Sequence, residues 1–180
     1  MKKNILIFGL IAGLIVGVYI VFLTWWGEKN LDSSGNEVLG YTSMVIAFSL
    51  IFVGVKNFRD KYNQGVVSFG KALTIGLGIT LIASTIYVAV WLVDFYIFNP
   101  DFMDKYADHL AKLVKESGVS QAVANKKMAE INFMRESYKS PVMVVLWTYL
   151  EIVPVGIVIS LLTAVLLKRK RRPEKIPAVA

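Results

Sequence analysis

Four long apolar runs, separated by segments that hold nearly all of the charge, constrain this chain more than any other feature. They cover residues 4–26, 39–55, 72–98 and 141–167. A helix rises about 1.5 Å per residue, so roughly 20 residues cross a hydrocarbon core about 30 Å thick. The first, third and fourth runs reach that length easily. The second is shorter, and Gly40 to Met44 carry it into the interface. Composition points the same way: 56% of the residues are hydrophobic and 18% charged, against about 45–50% and about 25% in a soluble domain. The expected fold class is an all-α integral membrane protein, one domain over 1–180, crossing the bilayer four times.

The first run follows Met1, Lys2 and Lys3, which resemble a charged leader. It is far longer than the roughly 7–15 apolar residues of a signal peptide, and no Ala-x-Ala site follows. It ends in Trp25-Trp26, suited to an interfacial belt, and is expected to stay in the mature protein.

The basic residues then orient the spans. KNFRDKYNQGVVSFGK, residues 56 to 71, interrupts the apolar pattern with Lys56, Arg59, Lys61 and Lys71 and a single acid, Asp60. With four spans, this loop shares one side with Lys2 and Lys3 and with the 168–180 tail, which holds Lys168, Arg169, Lys170, Arg171, Arg172 and Lys175. That side carries twelve bases against two acids, whereas the other carries eight bases and nine acids. The positive-inside rule predicts cytoplasmic termini and a cytoplasmic 56–71 loop. Phe58, Tyr62 and Phe69 are expected at headgroup level, with Gly65 and Gly70 turning the chain back. The net charge of +7 is therefore read as topology and as attraction for anionic lipid headgroups. No nucleic-acid partner is expected.

On the other side, residues 27–39 form a short loop with Asp32-Ser33-Ser34-Gly35-Asn36 as turn chemistry. Residues 99–140 are long and patterned. Asn99 is expected to cap a helix with Pro100 in its first turn. Phe102, Tyr106, Leu110 and Leu113 recur at helical spacing, with Met103 and Val114 alongside. Gly118 ends that helix, Ser120 starts a second, and Met128, Ile131 and Met134 share its face. The pattern predicts an extracytoplasmic helical hairpin between spans three and four. It is the segment expected to meet a partner or ligand. Its lone His109, with Asp104, Asp108 and Glu116 near it in sequence, matches no metal-ligand spacing.

Inside the membrane, Gly9, Gly13 and Gly17 fall on one face of the first span. Ala72, Gly76, Thr80 and Ser84 do so on the third. Such stripes let helix backbones approach closely in lipid. They are read as the seam between spans one and three, with a dimer seam as the alternative. Two acids interrupt the runs. Asp94, near the outer end of span three, is expected to reach interfacial water. Glu151 lies about 15 Å below the outer end of the fourth span by helical rise. An intramembrane acid is a functional candidate by default. Pro154, one turn on, is expected to kink the helix and to open a small polar cavity beside Glu151. Tyr87, Tyr149 and Thr148 are candidate hydrogen-bond partners for that carboxyl.

There is no cysteine and a single histidine, which removes disulfides, thiolate metal sites and most nucleophile–base pairs. No GxxxxGK[ST], GxSxG or HExxH occurs. No enzymatic activity, cofactor or metal is expected.

Three stretches carry a family resemblance: VKNFRDKYNQGVVSFGKALTIG at 55–76, NPDFMDKYADHLAKLVKESG at 99–118 and YLEIVPVGIVISLLTAVLLKRK at 149–170. In these the chain resembles domain-of-unknown-function family 4199, small bacterial membrane proteins, over nearly its whole length. The resemblance implies a four-helix bacterial inner-membrane protein. Phe-Gly-Lys at 69–71 and Glu-x-x-Pro at 151–154 look like its recurrent elements. The expected role is a non-enzymatic structural or accessory one, acting through helix packing and the hairpin, with a membrane-protein partner or a second copy of the chain. The alternatives are a small transporter or channel that uses Glu151 as a proton or cation site, and an envelope sensor.

Overall fold

A computed structural model describes residues 1–29 and 37–169, with the backbone alone at 23, 26–29 and 37–39. The expected turn at residues 32–36 and the bases Lys170, Arg171, Arg172 and Lys175 lie outside the described residues. Helix α1 covers Lys2–Lys29 and α2 covers Glu37–Asn57, running on through a π turn at Phe58–Tyr62. Helix α3 covers Phe69–Val93 and likewise ends in a π turn at Asp94–Phe98. Then come α4 (Phe102–Glu116), α5 (Gln121–Ser137) and α6 (Pro141–Leu167). Lys2–Phe22, Gly40–Tyr62, Phe69–Phe98 and Pro141–Leu167 are each long and apolar enough to cross a membrane.

Helix α3 lies between α1 and α6, and α2 packs against all three. Glycines set this arrangement. A Cβ on Gly9 would come within 2.8 Å of Ile82, one on Gly13 within 2.5 Å of Ile86, and one on Gly17 within 3.2 Å of Val90. The α1 stripe thus takes branched side chains of α3 in the manner of close-packed membrane helices. The small stripe of α3 does not face α1, contrary to the seam expected from the sequence. Gly76 meets Ser160, Thr80 fills the gap at Gly156, and the Thr80 and Ser160 hydroxyls lie 3.2 Å apart, so this stripe serves α6. Steric logic explains the difference, because one small stripe suffices per crossing and the opposing helix supplies the bulk.

The outward faces stay greasy: Val18 and Leu166 are 69% and 71% exposed, on a scale a protein surface in water does not tolerate. One end of the bundle collects the bases. The Asn4 side-chain amide donates to the Gly54 carbonyl at 2.6 Å, and Val67 and Arg169 exchange backbone hydrogen bonds of 3.1 and 2.8 Å. The start of α1, the 56–71 segment and the end of α6 are thereby tied together.

Local details of that segment differ from expectation. Phe58 is core rather than headgroup-level: it is buried, stacks on Tyr62, and lies under the Lys71 ammonium at 5.2 Å. The reversal is made by Gln64 and Gly65, both at positive φ (55° and 76°), while Gly70 belongs to the first turn of α3. Of these two glycines, Gly65 alone uses glycine's conformational freedom.

Candidate functional site

The acids of the apolar runs fall near the end of the bundle that carries α4 and α5. Asp94 opens the π turn that closes α3, and its carbonyl accepts the Asn99 backbone N–H at 2.8 Å. That wide turn brings Asn99 back over the helix end, where its Nδ2 donates to Asp94 Oδ2 at 3.1 Å. Asn99 is thus a clamp on Asp94 and not the cap of α4, which begins after Asp101. Asp94 is 95% buried, so the expectation that it reaches interfacial water is corrected: Asn99 folds back onto it and Val90, Val93 and Phe98 stand around it. It lines a groove of about 540 Å³ together with Val21, Thr24 and Trp25 of α1 and with Ala89, Val90, Val93, Phe98 and Asn99.

Glu151 lies elsewhere. Helix α6 has 27 residues and is about 40 Å long, more than a hydrocarbon core of about 30 Å. Glu151 is about 24 Å along α6 from Leu167 and about 15 Å from Pro141. Its carboxyl lies close enough to the Tyr87 phenol for the two to interact. Thr148 instead bonds the Val144 carbonyl at 2.7 Å, and Tyr149 reaches Thr85 at 3.1 Å. Tyr138, just outside the span, is pushed up to about 12 by burial, then by the Glu151 charge and by Tyr106. Glu151 is exposed on the bundle surface and does not line the groove described above. Pro154 is exposed one turn on, within an unbroken α6. A carboxyl among phenols can hold a proton or a small cation.

The bases Lys56, Lys61, Lys71, Lys168 and Arg169 are exposed together at the opposite end, and Arg59 pairs with Asp60 at 2.6 Å. Ser84 is fully buried, with an unpaired hydroxyl.

Helices α4 and α5 meet through a residue that sequence reasoning passed over. The Arg135 guanidinium holds Asp108, lies 3.3 Å from the Asp104 carboxylate, and donates to the Asp104 carbonyl at 3.1 Å. A lone arginine 27 and 31 residues from two acids gives no local signal. Beneath the helices runs an aromatic chain, with Trp91 against Phe95 and Phe102, Phe102 on Tyr106, and Phe95 against Tyr138. Met103, Ala107 and Ile131 are buried, but Leu113, Val123 and Phe133 remain exposed, Phe133 to 62%.

A family model described as a protein of unknown function (DUF4199) matches residues 7–169. No curated protein and no solved structure matches the chain.

Proposed function

The chain belongs to the DUF4199 family, and we propose that it is a bacterial inner-membrane protein with a non-enzymatic accessory role. In this reading both termini are cytoplasmic, held there by the bases gathered at one end of the bundle. Helices α4 and α5 form an extracytoplasmic helical hairpin that engages a membrane-protein partner. The observation that carries the reading is the surface of that pair: Arg135 locks the two helices together while Leu113, Val123 and Phe133 stay outside the core. A braced element with unburied aromatic and branched residues has the composition of an interface core. A photoreactive side chain at Phe133 should recover one reproducible protein from native membranes. Recovery of lipid alone refutes the reading.

A transport reading draws on the proximity of Tyr87 and Glu151, a polar pair within the apolar spans. It requires ion-dependent flux in proteoliposomes that Glu151→Gln abolishes while the fold survives. Absence of flux in the parent protein ends it.

A further inference from the structure

We propose that the groove between α1 and α3 binds a phospholipid with a primary ammonium headgroup, one acyl chain lying in the groove and the ammonium on Asp94. The groove is almost wholly apolar except at one end, where Asp94 and Asn99 stand. At about 540 Å³ it falls within the about 300–1,000 Å³ usual for ligand sites. Asn99 satisfies Oδ2 of Asp94, and Oδ1 has no partner among the described residues. A carboxylate 95% buried with one oxygen left open calls for a charged donor.

Depth selects the class of donor. Asp94 lies about 37 Å along α3 from Phe69, past a hydrocarbon core of about 30 Å and within the about 40–45 Å that includes the headgroups. This placement holds whichever side of the membrane α4 and α5 occupy. The apolar walls, with Val21, Val93 and Phe98 exposed towards lipid, run from that level into the acyl region. A primary ammonium offers three N–H donors. A trimethylammonium headgroup offers none, and a glycerol headgroup offers no positive charge. The π turn is what builds the site, since without the extra residue Asn99 would not return to fix the carboxylate. Such turns recur at functional positions.

The test uses the full chain in mixed micelles and follows quenching of tryptophan fluorescence by lipids with brominated acyl chains. Subtracting the signal of Trp25→Phe isolates the tryptophan that lines the groove. Phosphatidylethanolamine should quench Trp25 with an affinity about three-fold above phosphatidylcholine, the scale of one interfacial ion pair. Asp94→Asn should bring that ratio to about one. Equal quenching in the parent protein, or a preference that survives Asp94→Asn, overturns the proposal. Should Asp94→Asn fail to fold, Ala89→Phe fills the groove wall and leaves the acid in place. It should weaken quenching of Trp25 by both lipids, and unchanged quenching also overturns the proposal.

Discussion

Exchanging the small residues of the α3–α6 crossing measures how tightly the bundle is packed. A Cβ on Gly76 would lie 2.7 Å from Ser160 Oγ, 2.8 Å from Ser160 Cβ and 3.2 Å from Ile51 Cγ2. The Oγ contact can relax by rotation about χ1, but the Cβ contact cannot relax without moving a helix, because Ser160 Cβ is fixed to its backbone. Overpacking of this kind costs about 3 kcal/mol, offset by about 1 kcal/mol from alanine's better helix propensity. Gly76→Ala should therefore destabilise by about 2 kcal/mol. Ser160→Gly loses about 0.5 kcal/mol of propensity and about 0.6 kcal/mol from the hydroxyl contact with Thr80. In the double variant the propensity changes partly offset each other and the clash disappears, except for the contact with Ile51. It should be destabilised by only about 1 kcal/mol, a favourable coupling of about 2–3 kcal/mol. Reversible unfolding of the four proteins in mixed micelles, followed by helical circular dichroism, gives the cycle. Additivity to within about 0.5 kcal/mol would show that the two helices do not meet at these residues.

Three further outcomes follow from the same contacts. Gly13→Leu should destabilise the bundle strongly in that assay while Gly40→Leu is tolerated, since a Cβ at Gly13 meets Ile86 and one at Gly40 meets nothing within 4 Å; equal effects refute the α1–α3 seam. Arg135→Ala should speed proteolysis between α4 and α5 with the spans intact, because it frees both Asp104 and Asp108; an unchanged cleavage rate shows the clamp to be idle. The Tyr138 phenol, held neutral up to about 12 against about 10 in the unfolded chain, contributes stability that is fully present below about pH 10 and lost as pH rises through about 12. Phenolate absorbance compared with Tyr138→Phe should place that titration, and Glu151→Gln should lower its midpoint; no change would mean that the two groups are not close.

The spans were legible because apolar run length against bilayer thickness is a one-dimensional quantity. The gathering of Lys56, Arg59, Lys61, Lys71, Lys168 and Arg169 was legible for the same reason, as charge is read along the chain. What stayed hidden needs a partner helix or an irregular turn. The α3 stripe is plain in sequence, but whether it faces α1 or α6 depends on rotation about the helix axis. Neither π turn has a sequence signature, so Asn99 read as a helix cap when it holds Asp94, and Phe58 read as an interfacial ring when it is core. The neighbours of Glu151 likewise depend on rotation about the helix axis. Of the three side chains expected around it, Tyr87 is the one the fold brings there.

Because the chain contains no cysteine, single-cysteine accessibility tests the central claim of four crossings without background. Tyr62→Cys and Phe133→Cys place thiols at two exposed positions, at opposite ends of the bundle. In intact spheroplasts an impermeant maleimide should label residue 133, and should reach residue 62 only after the membrane is opened. Labelling of both before permeabilisation, or of neither, contradicts the account.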